Sequence, residues 1–429
     1  MKKKVYLSFS TDVILDTHLK LIREANKLGD VYVGILTDKA ICKYKPLPNY
    51  NFNQRVEVFK SLKNIKNIIP QETLDYTKNL MELKPDYVMH GDDWRTGIQA
   101  NTRKKVIKLL KKWSGKLIEF AYDEDPKIAL IKSKFKNYSS PDLRVNKLSR
   151  LIESKNLVRA IETHSALSAL IIEKVEYAIK DNFFSFDALW SSSLTDSLLR
   201  GKPDNQSVDY SARYNMLNDI FESTSKPLIF DADNGGKLEH VKFLVRSVER
   251  LGVSAIAIED KIGEKKNSLF KNQKNVKQDK IKNFCNKIER AKESAFSDNF
   301  FIIARIESLI LNKGMKDALK RAEEYSKAGA DMILIHSNKK TFDEIKNFSK
   351  EFSDSKHFKP LVAVPSSYSS VKESELIENN IKIVIYANQL MRASHKAMFE
   401  TANKILKSNS ASSADKTISK IQDIISYIK

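Results

Sequence analysis

Short apolar runs with polar ends alternate with helix-like stretches through the first 120 residues. Val5–Phe9, Val31–Leu36, Tyr87–His90 and Leu117–Phe120 read as strands, with His18–Leu28 and Arg103–Trp113 as helices between them. That alternation predicts a small doubly wound parallel sheet. Around Ile131–Asn156 the apolar pattern weakens into Lys, Asn, Ser and one proline, Pro141, which reads as a joint with room for a helix.

Eight further apolar runs follow: Val158–Ile161, Ala188–Trp190, Pro227–Phe230, Ala255–Ile258, Phe300–Ala304, Met332–Ile335, Leu361–Val364 and Ile383–Tyr386. They are continuous rather than alternating, as expected of parallel strands buried on both faces. Helical spacings separate most of them, as in Leu238, Val241, Val245 and Val248. Gly252 and Gly329 stand where a left-handed helix cap favours glycine. Eight such units over roughly 270 residues predict a (β/α)8 barrel. The expected fold class is therefore α/β. A TIM-type barrel over 157–429 is preceded by a small Rossmann-like domain over 1–130, with 131–156 as the linker.

Composition narrows the setting. The net charge of +20 comes from lysines scattered along every helical stretch, often beside Glu or Asp, without interleaved stacking aromatics. That distribution argues for a solvated surface that attracts small anionic substrates, and against a nucleic-acid partner. No apolar stretch approaches the roughly 20 residues of a membrane span. The basic start Met1-Lys2-Lys3-Lys4 runs directly into a strand-like segment rather than a signal-peptide core. The two cysteines, Cys42 and Cys285, form no CxxC pair, so a cytoplasmic protein without disulfides or a cysteine zinc site is expected.

Chemistry concentrates at the ends of the second set of runs. In order these carry Glu162 and His164, Ser191–Ser193, Asp231 and Asp233, Glu259 and Asp260, Arg305 and Glu307, His336 and Ser337, Ser366 and Ser367, and Asn388. Barrel enzymes build their sites at that rim. Asp231, Asp233 and Glu259 supply hard oxygen donors suited to Mg²⁺, which takes one or two carboxylates directly and keeps waters held by others. Arg305 offers a fork for phosphoryl or carboxylate oxygens, and His336 a further hydrogen bond. Trp190, as the last apolar residue before Ser192 and Ser193, walls a substrate carboxylate held by the N–H groups of that turn. Acids capping helices at strand–loop junctions are the alternative reading for Asp231 and Asp233, and a weightier one for Glu307.

Several of these residues fall into one pattern: Arg159-x-x-Glu162-x-His164-Ser165, Trp190-x-Ser192-Ser193-Leu194, Asp204, Asp231-x-Asp233, Glu259-Asp260-Lys261, Lys265-x-Asn267-Ser268, Arg305-x-Glu307, His336-Ser337 and Asn388. Over Leu157 to Lys429 the chain thereby resembles the phosphoenolpyruvate mutase family of the isocitrate lyase superfamily. The resemblance implies a Mg²⁺-dependent isomerase that moves a phosphoryl group between oxygen and carbon, interconverting phosphoenolpyruvate and phosphonopyruvate at the start of phosphonate biosynthesis. It implies Asp231 as the direct metal ligand, with Asp233 and Glu259 acting through waters. Arg305, His336 and Asn267 become phosphoryl contacts, Lys261 and Asn267 flank a gating loop, and Asp204 sits beside the migrating group. Trp190, Ser192, Ser193, Leu194 and Ser268 complete the expected substrate-binding set. A homodimer or tetramer exchanging a C-terminal helix over Asp415–Tyr427 is also implied.

Three rivals separate by residues. The superfamily's carbon–carbon lyases carry a cysteine in the gating loop, where this chain reads Lys265-Lys266-Asn267-Ser268. Phosphonopyruvate hydrolase is expected to depart from the mutase asparagine, which Asn267 retains. A non-catalytic barrel serving assembly or ligand sensing is opposed by the complete acid, Arg and His set.

Residues 4–120 resemble the small cytidylyltransferase family, through Val5–Asp12, Gly34-Ile35-Leu36-Thr37-Asp38, Gln71–Asp75 and His90-Gly91-Asp92-Asp93-Trp94. That family's H-x-G-H motif reads Leu15-Asp16-Thr17-His18 here. Its serine/threonine-rich phosphate motif, expected near 125–133, is also lost. The implied reading is a degenerate nucleotidyltransferase-like domain that binds without turnover or serves assembly.

Overall fold

Five parallel strands build the N-terminal sheet: β1 Lys4–Phe9, β2 Asp30–Leu36, β3 Asn67–Gln71, β4 Tyr87–Gly91 and β5 Lys116–Phe120, in the order β3-β2-β1-β4-β5. Val5, Leu7, Phe9, Val33, Ile35 and Met89 form the buried layer under the helices Asp16–Leu28 and Phe52–Lys60. The unexpected strand is β3. It carries Pro70 and pairs only with β2, and proline is tolerated at a sheet edge because no ladder donor is needed there. The computed structural model describes residues 2–121, 139–179, 182–270 and 273–428.

The chain divides into two compact units: Met1–Lys136 with Glu153–Lys155 and Glu176–Ser185, and Asn137–Ile152 with Asn156–Val175 and Phe186–Lys429. In the second unit, β6 Val158–Glu162 begins a closed parallel barrel. The hairpin β7 Glu176–Ile179 and β8 Asn182–Ser185 then leaves the barrel sequence and joins the first unit, where the Phe183 N–H donates to the Lys43 carbonyl at 3.3 Å. The barrel continues through β9 Ala188–Ser191, β10 Leu228–Asp231 and β11 Ala255–Glu259. A two-stranded ribbon, β12 Lys261–Gly263 with β13 Val276–Gln278, interrupts it before β14 Phe301–Ile306, β15 Met332–Ile335, β16 Leu361–Ala363 and β17 Ile381–Tyr386. Closure comes from β17 pairing back onto β6, Ile383 opposite Val158 through Tyr386 opposite Ile161.

All eight expected runs became barrel strands, and β9, β10, β11 and β15 are buried at every position, which explains their unbroken apolar character. Outside them, the helix Leu238–Leu251 turns Val241, Leu244, Val245 and Val248 inward and ends at Gly252 with φ 102°. A Cβ there would stand 2.7 Å from Arg144 Nη1, so both conformation and space require glycine.

The stretch read as a joint with room for a helix does carry one, Pro141–Ser154, which buries Val145, Leu148 and Leu151. Its Arg144 donates to the carbonyls of Phe221 and Thr224 at 3.2 and 3.0 Å, while Ser254 Oγ donates to the Arg144 carbonyl at 2.9 Å. The helix therefore fastens to the segments that enter β10 and β11. Asp415–Tyr427 forms only the five-residue helix Ile421–Ile425, since few apolar side chains in it find a core. The preceding helix, Gln389–Ser408, leaves Met398, Phe399 and Leu406 exposed. Among the described residues no helix is long and apolar enough to cross a membrane.

One ionic knot fastens β5 of the first unit. Glu119 accepts from Trp94 Nε1 and from Arg103 Nε and Nη2, each at 2.8 Å, and from Arg95 Nη2 at 3.2 Å. The Arg103 bonds hold its carboxyl down to about 2, against a smaller upward push from burial. A carboxyl depressed on folding contributes stability above its unfolded value and loses that contribution as pH falls toward its folded value. Glu119→Gln is therefore expected to cost about 2–3 kcal/mol at pH 7. The difference should shrink steadily between pH 4 and pH 2. Denaturant unfolding followed by tryptophan fluorescence measures both, and an equal deficit at pH 7 and pH 3 would contradict the assignment.

Candidate active site

The barrel delivers polar side chains to one mouth. Twelve of the thirteen residues expected at the site line a single pocket: Trp190, Ser192, Ser193, Leu194, Asp204, Asp231, Glu259, Lys261, Asn267, Ser268, Arg305 and His336. The thirteenth, Asp233, lies beside it and joins through Lys265. Lys265, Lys266, Leu269, Ser366 and Asn388 line the pocket as well.

On the acidic side, β10 ends at Asp231 and the chain turns sharply. Asp233 sits at φ 51°, in the left-handed region that non-glycine residues rarely adopt. Its N–H donates to Asp231 Oδ1 at 3.2 Å, and the Glu259 N–H donates to its carbonyl at 2.7 Å, so the turn is tied to both strands. Asp231 Oδ2 accepts from the Ser193 hydroxyl at 2.9 Å and its N–H at 3.3 Å. Beneath lies Arg213, almost fully buried. It donates to Asp196 Oδ2 and to the Asp231 carbonyl, both at 2.6 Å, and its guanidinium covers the Phe230 ring at 3.9 Å. Nothing in the sequence singled out this arginine, because its role depends on which strand ends its helix happens to face.

The charges explain each group's state. Burial pushes Asp231 up, but the Lys265, Arg305 and Arg213 cations outweigh it and hold the carboxyl below its usual range. Asp233 is raised by burial and by the adjacent Asp231, against the pull of Lys265. Glu259 is pushed up to about 7 by burial, reinforced by Glu307 and only partly opposed by Lys261 and Arg305. Asp233 and Glu259 are thus short of positive charge, whereas Asp231 is not.

That shortage, with an all-oxygen donor set free of Cys and His, fits Mg²⁺. Among the described residues no three acid, His or Cys side chains converge on one point at ligand distance. The ammonium of Lys265 reaches into the acidic group. It bonds Asp204 Oδ1 at 2.5 Å and Ser193 Oγ at 2.9 Å, and also bonds Asp233 Oδ1. Asn267 Nδ2 donates to the other Asp204 oxygen at 2.8 Å. The loop residues therefore close over Asp204.

On the basic side, Arg305 Nε donates to Glu307 Oε1 at 2.5 Å, and Nη2 lies 3.0 Å from His336 Nδ1. Glu307, the strand-end acid for which a plain junction role weighed most, is fully buried and held well below its usual range: burial opposes this, but Arg305, Lys261 and His336 together prevail. The available signal was its spacing two residues beyond Arg305, which returns a side chain to the same face of an extended chain. Burial and then the Arg305 charge lower His336, keeping the ring neutral.

In the first unit, His18 does not face a second histidine. Its Nδ1 accepts from the Leu15 N–H at 3.1 Å, closing the first turn of the helix that follows, and its ring meets Phe9 edge-on. His90 stacks on Trp94 with centroids 3.9 Å apart. The expected phosphate motif at 125–133 lies outside the described residues.

The chain is similar to proteins already characterised. The family described as phosphoenolpyruvate phosphomutase matches residues 148–406, and a cytidylyltransferase-like family matches residues 12–158. A phosphoenolpyruvate phosphomutase of Tetrahymena pyriformis is 31% identical over 296 residues, covering 69% of this chain and 94% of that protein. A phosphonopyruvate hydrolase of Variovorax sp. (strain Pal2) is 32% identical over 282 residues, 65% of this chain and 92% of that protein. The crystal structure of a phosphonopyruvate hydrolase in complex with oxalate and Mg²⁺ superposes with a TM-score of 0.59 at 31% identity, covering 66% of this chain and 94% of that one. With the matched family spanning more than half of its length, the chain belongs to the phosphoenolpyruvate phosphomutase family and carries a cytidylyltransferase-like region before its barrel.

Proposed function

We propose that the barrel interconverts phosphoenolpyruvate and phosphonopyruvate by moving one phosphoryl group from the enol oxygen to the methylene carbon. The P–O bond breaks to leave the pyruvate enolate, and the enolate carbon then forms the P–C bond. No outside reagent is consumed. A loose, metaphosphate-like transition state needs positioning and charge stabilisation more than covalent help.

Arg305 and His336 are assigned to the phosphoryl oxygens. His336 Nδ1 lies 3.0 Å from Arg305 Nη2 and 3.1 Å from Glu307 Oε1, so the ring is held between a donor and an acceptor. A neutral imidazole keeps one N–H to donate. Asp231, Asp233 and Glu259 are assigned to Mg²⁺, whose bound charge would stabilise the enolate oxygen and carboxylate. Trp190 and the Ser192–Leu194 turn border the carboxylate end. Asp204 stands beside the migrating group, its charge offset by Lys265 and Asn267.

The observation that carries the mutase reading is the bond from Asn267 to Asp204, which draws the loop over the pocket. Closure keeps water from capturing the phosphoryl group, and water capture is what a hydrolase requires. The same reading gives a two-domain protein, 1–130 and 157–429 about the segment 131–156, acting in the cytoplasm at the entry to phosphonate biosynthesis. The exposed face of the helix Gln389–Ser408 supports a homo-oligomer. In the first domain the lost motif and the capping role of His18 support a region without nucleotidyl transfer.

Three outcomes follow. Protein with Mg²⁺ and phosphonopyruvate should form phosphoenolpyruvate by phosphorus NMR, whereas dominant pyruvate and free phosphate would assign the barrel to hydrolysis, and no turnover would favour a non-catalytic module. Asp231→Ala should lower kcat/KM by roughly 10²–10³-fold with an unchanged circular dichroism spectrum; near-normal rates would remove the metal assignment. Incubation with CTP and a phosphonate should release no pyrophosphate, and steady release would show that the first domain is an active transferase.

A further inference from the structure

The segment 264–270 brings Lys265, Asn267 and Ser268 to the pocket, and the Ser268 hydroxyl is its most fully engaged group. Its Oγ accepts from Lys261 Nζ at 2.8 Å and Arg305 Nη2 at 2.9 Å, and donates to Glu307 Oε2 at 2.6 Å. One donated and two accepted bonds are the full capacity of a hydroxyl, so nothing remains for a substrate.

Glu307 does not line the pocket. Its backbone N–H donates to Asp260 Oδ1 at 3.0 Å. The other Asp260 oxygen is held by Tyr325 OH and Gln278 Nε2, each at 2.9 Å, and Arg321 Nη1 at 3.2 Å. Glu307 is therefore anchored to the barrel and cannot follow the loop. It also grips Arg305 by Nε, while Ser268 grips the same guanidinium by Nη2. His336 Nδ1 also meets Nη2 at 3.0 Å, so Ser268 adds to the hold on that edge of the fork while Glu307 fixes the other.

We propose that Glu307 is a positioning residue that makes loop closure and orientation of the Arg305–His336 pair a single event, with the Ser268 hydroxyl as its latch. The proposal rests on the reading above that this pair holds the phosphoryl group. It assigns Ser268 to the loop rather than to the substrate.

The test uses the full chain as Ser268→Ala and Ser268→Thr, with Mg²⁺ and oxalate present for limited trypsin cleavage at Lys265 and Lys266, and with phosphonopyruvate for kinetics. A hydrogen bond to an ionised carboxylate is worth roughly 10- to 100-fold in an equilibrium. Ser268→Ala should raise the cleavage rate and lower kcat/KM by similar factors in that range, at unchanged Tm. Threonine should restore both to within roughly threefold, because it keeps the hydroxyl. Faster cleavage with unaltered kcat/KM, or equal damage from alanine and threonine, overturns the proposal. In a Glu307→Gln background Ser268→Ala should add nothing further, and additive losses count against the link. Equal loop cleavage in wild type and Ser268→Ala sinks the latch even in a protein without turnover, whereas absent turnover alone sinks the mutase reading.

Discussion

The barrel mouth depends on balancing the charge of several buried carboxylates gathered at one place. Asp231, Asp233, Glu259 and Glu307 are all buried, and isolated charges in such surroundings would take up protons instead. The structure answers with cations from different elements: Arg213 from below, Lys265 from the loop and Arg305 from β14. The balance is incomplete on the Asp233 and Glu259 side and complete around Glu307. That asymmetry separates a pole suited to a divalent cation from a pole suited to phosphoryl oxygens.

Loop and barrel share this electrostatic frame. Lys265 and Asn267 satisfy Asp204, while Ser268 satisfies Glu307. Glu307 directly follows β14, whereas Asp204 stands in the turn before the helix Tyr210–Ser223, so the loop bonds both a barrel group and a neighbouring turn. The ribbon of β12 and β13 forms the stem, held at Gln278 through Asp260. A stiff stem bearing a segment that bonds at its tip suits repeated opening and closing.

Much of this was legible in the sequence because barrel strands buried on both faces leave unbroken apolar runs with a polar residue where each strand ends. All eight were found that way, and the positions after them named the pocket. Elements without a core of their own were not visible. The edge strand β3, the hairpin β7–β8 and the ribbon β12–β13 lack both long apolar runs and regular alternation. Arg213 was missed for a related reason: an isolated charge in a helix takes its meaning from partners on other elements. In the first unit, loss of a motif was readable, but the capping of Leu15 by His18 required coordinates.

The central claim is a phosphoryl transfer from which water is excluded. Turnover of phosphonopyruvate in ¹⁸O-labelled water, followed by mass spectrometry, tests it most directly. The account predicts phosphoenolpyruvate whose phosphoryl oxygens carry no label, with no labelled inorganic phosphate beside it. Label accumulating in free phosphate as fast as substrate disappears would contradict it.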